Sequence, residues 1–244
     1  MSLRARLTSY ARGLTTLPED ATLAYRRGGL VELWQAVAEW SIHRLVRWGR
    51  ILVIVQRLDE FRDVAPPTGI TIRRATPADL PALAEIMSRR DAERFGDYMA
   101  RGLICFVAWE GDRPVGYAWN ADRFTSDMTA TACPLALPPT ATYLWNLYVI
   151  RRRRGHGVGA ALASARLRLA RDRGLREGWT MIAPTNYGSL RAVGKTAGPN
   201  TRIIGELRYV KLLTRVYGQF RPSDSALTTI DVGAFSSRAA ALPK

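Results

Sequence analysis

Residues Thr142 to Gly174 read TYLWNLYVIRRRRGHGVGAALASARLRLARDRG, a strand, a basic glycine-rich turn and a helix in immediate succession. The strand part, Tyr143 to Ile150, is β-branched and aromatic, with Asn146 as its one strongly polar residue. That is the composition of a strand covered on both faces. Four arginines, Arg151 to Arg154, follow it, and then Gly155, Gly157 and Gly159 at alternate positions. Val158, Leu162, Ala165 and Leu169 form an i, i+4, i+7, i+11 stripe, with Arg168 and Arg171 on the opposite face. Gly174 is a natural helix stop, and Arg171 and Arg173 place cations in the last turn, where the helix dipole favours them.

The turn is suited to a polyanion. A helix N-terminus carries unpaired N–H groups and about half a positive charge. Glycines let a phosphate approach those groups closely, and arginines add forked, charged donors. No Gly-Lys-Ser/Thr closes the turn, so it is not a Walker loop, and Gly155-His156-Gly157-Val158-Gly159 lacks the G-x-G-x-x-G spacing of a dinucleotide site.

The pattern Arg154-Gly155-His156-Gly157-Val158-Gly159-Ala160 instead resembles the R/Q-x-x-G-x-G/A motif of the GNAT superfamily of N-acetyltransferases. The preceding Leu147-Tyr148-Val149 is similar to that family's strand before the turn, and the resemblance extends over roughly residues 69–215. It implies an α/β (α+β) fold with a mixed, mostly antiparallel twisted sheet flanked by helices. It further implies that the turn grips the pyrophosphate of acetyl-CoA, or of another acyl-CoA, as co-substrate.

At 244 residues the chain suits one large domain, or one domain with an appendage. Hydrophobic residues make up 47% and charged residues 23%, as in an ordinary globular protein. Two cysteines, Cys105 and Cys133, and two histidines, His43 and His156, give neither a disulfide framework nor metal-ligand spacing, so no metal is expected. Cys105 lies in an apolar strand pattern and reads as core rather than nucleophile.

The formal net charge of +15 attracts anions: CoA, an acidic acyl-carrier protein, nucleic acid or an anionic membrane surface. The basic residues are dispersed rather than gathered into an aromatic-interleaved patch, so nucleic acid is not the expected partner.

Met1 to Asp20 is basic and lacks the apolar core of a signal peptide, from which a cytoplasmic location is expected. Leu23 to Trp48 reads as a helix with Leu30, Leu33, Trp34, Val37, Ile42 and Leu45 on one side. Trp34, Trp40 and Trp48 beside Arg44, Arg47 and Arg50 also permit contact with a membrane surface. Packing on the main domain is the preferred reading. Arg50 to Leu58 reads as a strand extending the sheet, and Ala65-Pro66-Pro67-Thr68-Gly69 as a junction. The expected organisation is an N-terminal helix–strand extension over 1–68, an acyltransferase domain over 69–222 and a loose tail over 223–244.

From Gly69, Ile70 to Ala75 reads as a strand, and Thr76-Pro77-Ala78-Asp79 as a helix start with Thr76 as N-cap. Leu80, Leu83, Ala84 and Met87 then form an apolar face, and Asp91 to Arg101 a second helix. By the resemblance that second helix borders the acceptor, with Arg94, Tyr98 and Arg101 as candidate contacts. Leu103 to Trp109 and Pro114 to Ala121 read as a hairpin turning at Gly111. Thr125 to Pro139 reads as a loop positioned to cover an acceptor pocket.

Past the central helix, Trp179 to Ala183 reads as a strand. The run from Asn186 to Ser189 resembles the family's N-x-x-S element near the pantetheine arm. Ile203 to Val210, and then Val216 to Gly218, read as further strands.

The resemblance implies direct attack of a neutral amine on a thioester. Main chain of Leu147, Tyr148 and Val149 is expected to polarise the carbonyl, and an acid to protonate sulfur. The family's tyrosine position is filled here by Val193, and Asn146 stands where relatives place an acidic residue. Tyr187 and Tyr148 are then the candidate acids, Glu206 a candidate base, and Asn146 part of the same catalytic set. Arg154 through Ala160, with Asn186 and Ser189, complete the expected CoA contacts. The expected function is acetyl transfer to an amine on a small molecule or peptide. The alternatives are amide formation from longer-chain acyl-CoA or acyl-carrier protein, and a non-catalytic CoA-binding scaffold.

Overall fold

A computed structural model describes residues 46–87, 89–123, 135–212 and 215–222, together with the single helical residues Thr22, Tyr25, Leu30 and Leu33. Cys133, most of the loop read over Thr125 to Pro139, the tail from Ser223 and most of the helix read over Leu23 to Trp48 lie outside the described residues.

Eight described strands form one sheet: β1 (Val46–Arg57), β2 (Ile70–Arg74), β3 (Ile104–Glu110), β4 (Arg113–Ala121), β5 (Ala141–Val149), β6 (Glu177–Ile182), β7 (Arg202–Leu212) and β8 (Arg215–Pro222). Their spatial order is β2-β3-β4-β5-β6-β1-β7-β8, and every pair is antiparallel except β5–β6. The helices are α1 (Leu80–Leu83), α2 (Arg89–Ala100), α3 (Val158–Asp172) and α4 (Tyr187–Thr196). The mixed, mostly antiparallel sheet flanked by helices is the fold expected from the sequence.

The strand read over Arg50 to Leu58 forms, starts earlier at Val46, and lies inside the sheet rather than at its edge. It hydrogen-bonds β6 along one side, from Leu52↔Ile182 to Arg57↔Glu177, and β7 along the other. The sequence explains the double pairing: Leu52 to Val55 is a continuous apolar run, and Val53, Ile54 and Val55 are buried. The first helix of the main region is shorter than its apolar pattern suggests. A 3₁₀ turn, Pro77–Asp79, leads into only four α-helical residues, with Pro81 unable to donate a ladder hydrogen bond.

Two cores form on opposite faces. On one, Phe95 and Tyr98 of α2 pack edge-on against Trp119, and Tyr98 against Trp145. On the other, Val158 and Leu162 of α3 cover Val115, Ala118 and Val149. Just before the expected junction, residues 62–64 form a strap across α3 and α4: Ser164 Oγ accepts from Val64 N–H at 2.9 Å and donates to Asp63, and Arg62 N–H donates to Thr196 O at 2.9 Å. Arg168 adds an ion pair with Asp63 at 3.0 Å. The strap covers Ser164, while Ala163 faces the inner cavity and Leu167 packs with Leu58 and Leu144, so α3 is buried beyond the stripe that periodicity identifies.

Ile54 joins Ile182, Leu190 and Val193 in a small core that holds α4 against β1 and β6. Ile54→Ala is expected to cost about 2–5 kcal/mol of stability. Urea unfolding would show this as a lower midpoint at unchanged slope.

Candidate active site

Strands β5 and β6 are paired only from Ala141↔Glu177 to Leu144↔Thr180, and beyond that register they diverge. The cause begins on β4, whose register with β5 shifts between Tyr117↔Tyr148 and Trp119↔Trp145, leaving an extra residue on β5. Asn146 occupies that bulge at φ 46°, the one positive-φ non-glycine residue among those described. Asparagine tolerates this left-handed conformation better than most residues because its short side chain bonds locally. The bulge turns the last part of β5 away from β6 and opens a cleft.

The carbonyls at the vertex of the cleft have partners. Thr180 Oγ1 donates to Leu144 O at 2.9 Å, and Arg166 Nη1 donates to Trp145 O at 3.1 Å and to Trp119 O at 3.3 Å. The cavity beside them has a volume of about 430 Å³. Leu147, Asn186, Ser189 and Ala192 belong both to this cavity and to a second of about 640 Å³, which runs to Arg153, Arg154 and Gly155. The two make one continuous groove from the basic turn to the sheet interior.

The turn has the form its sequence suggests. Arg151–Arg153 make a 3₁₀ turn, and Gly155 and Gly157 sit at φ 83° and 86°, which glycine adopts without strain. Gly157 is the N-cap of α3 and supplies no side-chain cap, so the helix's first N–H groups are left for another acceptor. Arg154 Nε donates to Val149 O at 3.0 Å, and its guanidinium lies 5.8 Å from the Tyr148 ring centre. Arg153 pairs with Glu110, with Arg152 3.7 Å from the same carboxylate. His156 is exposed, and its Nδ1 lies 2.9 Å from Arg154 O. A Cβ on Gly159 would meet Leu147, Val149 and Ala192 at ordinary contact distances, so close packing, not strain, surrounds that position.

Asn186 caps α4, its Oδ1 accepting from Ser189 N–H at 3.1 Å. This places the Asn186 and Ser189 side chains at the waist of the groove. Tyr148 and Tyr187 line the outer cavity, and Asn146 the inner one. Tyr148 stacks on Tyr117 with ring centres 5.4 Å apart. Leu147 and Val149 also line the outer cavity, and the Val158 and Ala160 side chains are buried beneath the turn.

Glu206 lies elsewhere. It sits on β7 opposite Leu52 of β1, so β1 and β6 separate it from β5, and it binds Arg208 at 2.5 Å and Arg50 at 3.4 Å. It is not in the walls of either cavity. Val193 lines the inner cavity, and neither cavity has a described carboxylate or histidine in its walls. Cys105 is buried, and that burial pushes its thiol pKa upward, away from nucleophilic use. No group of three or more His, Cys, Asp or Glu among the described residues is placed to hold a metal ion. No described helix is long and apolar enough to cross a membrane.

Sequence reading passed over several wall residues, Thr180, Ile51 and Arg166 among them. Ile51 of β1 reaches the inner cavity because its strand lies next to β6. Arg166 is buried at the vertex, where loss of hydration lowers its pKa to about 10 and leaves it cationic at neutral pH. The signal for Arg166 was its spacing: it stands four residues after Leu162 and eight after Val158, on the apolar side of the helix.

The described sheet thus carries a split parallel strand pair that opens toward a glycine–arginine turn at a helix N-terminus. The chain belongs to the acetyltransferase (GNAT) family, whose model matches residues 73–198. Among solved structures it is similar to a ribosomal-protein-alanine N-acetyltransferase from Brucella melitensis, at 23% identity and TM-score 0.39, covering 50% of this chain and 80% of that one. It is also similar to the glucosamine N-acetyltransferase region of a fungal multi-domain β-N-acetylglucosaminidase, at 14% identity and TM-score 0.50, covering 72% of this chain and 22% of that one. A third is an aminoglycoside N-acetyltransferase in complex with CoA, at 21% identity and TM-score 0.40, covering 51% and 87%. Comparison with curated proteins finds no match.

The conformation of Asn146 gives a direct check on the bulge. Asn146→Val, β-branched at positive φ, is expected to cost about 1–2 kcal/mol, whereas Asn146→Gly should be close to neutral. Urea midpoints of the two variants would separate these outcomes.

Proposed function

We propose that the protein is an acyl-CoA-dependent N-acyltransferase, using the acetyl-CoA of its family or a related short acyl-CoA, and acting on a small-molecule or peptide amine. The observation that carries this reading is the continuity of the groove from the basic turn to the split between β5 and β6. Arg154, the αL glycines 155 and 157 and the free N-terminus of α3 suit a pyrophosphate. The waist at Asn186 and Ser189 suits the amide-bearing pantetheine arm. When bound, acyl-CoA supplies a thioester, an acyl group already activated for transfer.

The chain's own contribution is placement and polarisation. The bulge at Asn146 frees main chain on the cleft side of β5, and the Leu147–Val149 segment is the source of the N–H group that polarises a carbonyl. Pre-set donors of this kind, with orientation of the reactants, can supply most of an acyl-transfer acceleration. With no described carboxylate or histidine in the walls, the acceptor is taken up as the neutral amine and its surplus proton leaves through water. Both candidate acids, Tyr148 and Tyr187, line the outer cavity beside the waist, so a proton from the Tyr187 hydroxyl reaches the departing sulfur through water, in place of a residue at Val193. Arg166 and Thr180 close the inner end with polar groups, which disfavours a long apolar acyl chain.

The full chain titrated with acetyl-CoA is expected to bind and to show a raised melting temperature. A ligand at 100 times its dissociation constant adds about 2.7 kcal/mol. Gly157→Glu would put a carboxylate and a strained side chain at the cradle, and calorimetry should then detect no CoA binding. Unchanged affinity would remove the turn from the site. Tyr187→Phe is expected to lower kcat by about 10²-fold or more while leaving CoA affinity within error. A kcat equal to wild type would assign the proton to another group.

A further inference from the structure

The inner end of the groove holds a cation whose charge the chemistry above does not use. Arg166 is only 4% exposed, yet it forms part of the wall of the inner cavity. Its Nη1 serves two main-chain carbonyls, of Trp145 and Trp119, and its Nε has no hydrogen-bond partner. Those carbonyls are neutral dipoles. Among the described residues no carboxylate pairs with this guanidinium, and none lines the cavity it faces. The ion pairs of its helix neighbours make the contrast: Arg168 is held by Asp63 and Arg173 by Asp122, both near the surface.

Buried charges in proteins are normally paired, because an isolated ion loses hydration that neutral partners restore only in part. A side chain needed only to bond two carbonyls could be a neutral amide. The one here is a planar, permanently charged fork, the group best matched to a carboxylate. Its place in the wall of the inner cavity, away from the basic turn, puts an outside counter-ion beyond the thioester, at the far end of the acyl group.

We propose that the preferred donor is a short acyl-CoA whose acyl group ends in a carboxylate, of the malonyl or succinyl class, with Arg166 as the residue that receives that carboxylate. The proposal rests on the acyl-CoA reading of the groove. The carboxylate supplies the missing charge, and the thioester carbon remains free for attack. The amide formed then carries a terminal carboxylate, so the acceptor exchanges a cationic ammonium for an anionic group.

Calorimetric titration of the full chain with matched pairs tests this. Succinyl-CoA and malonyl-CoA are compared with butyryl-CoA and propionyl-CoA, their methyl-ended counterparts, alongside acetyl-CoA and free CoA. The carboxylated member of each pair is expected to bind about 10- to 100-fold tighter. That preference should vanish in Arg166→Gln with free-CoA affinity unchanged, and should persist in part in Arg166→Lys. Equal affinities within each pair for the wild-type protein would overturn the proposal and leave the acyl-CoA reading standing, as would a preference that survives Arg166→Gln. Absence of binding by every CoA species, free CoA included, would overturn both. The wild-type comparison decides even if Arg166→Gln fails to fold.

Discussion

The split between β5 and β6 is the constraint from which the site follows. A parallel pair normally keeps its ladder, and an opened ladder leaves carbonyl and N–H groups that must find partners inside the protein. Here one extra residue, Asn146, turns β5 out of register, and two side chains take over the carbonyls at the vertex. Thr180 serves Leu144 and Arg166 serves Trp145. The cleft is thus braced by the protein's own side chains. Both stabilising side chains face the same cavity, so the groups that maintain the opening also set the chemistry of its inner end.

Much of this was legible in the sequence because it is local. The strand, turn and helix of residues 142–174 follow from apolar pattern, glycine placement and charge, each acting within a few residues. The capping of α4 by Asn186 was equally readable, since the hydrogen bond to Ser189 spans one turn. What was not legible depends on partners far apart in the chain. Nothing in the run Leu52 to Val55 says that it pairs with 179–182 on one side and 202–206 on the other. For that reason the reading of Glu206 as a neighbour of the cleft could not anticipate β1 standing between. Asp63 and Val64 likewise carry no local sign of their partner, Ser164, which lies a hundred residues on and binds both.

Arg166 lies between these cases. Its helical spacing from Val158 and Leu162 marks it as inward-facing, but the run ALASARLRLARDR also holds three outward arginines, and periodicity alone ranks a charged residue as surface. The strap decides the matter. By covering the outer side of α3 it buries Ser164, Leu167 packs separately against Leu58 and Leu144, and the helix loses the broad polar face its composition suggests. A charged residue on the sheet side then has only the cleft to point into.

The inserted strand ties the early part of the chain to this chemistry. Ile51 contributes to the wall of the inner cavity, and Ile54 packs with Leu190 and Val193 behind it. Yet β1 precedes residues 73–198, the span the family model matches. Two hydrogen-bonded edges hold β1 at fixed register, so the wall it provides is set by backbone pairing and not by side-chain packing alone. The shape of the inner cavity is therefore determined jointly. The bulge on β5 sets how far the cleft opens, Arg166 from α3 closes its vertex, and β1 limits its width from a part of the chain outside the matched span.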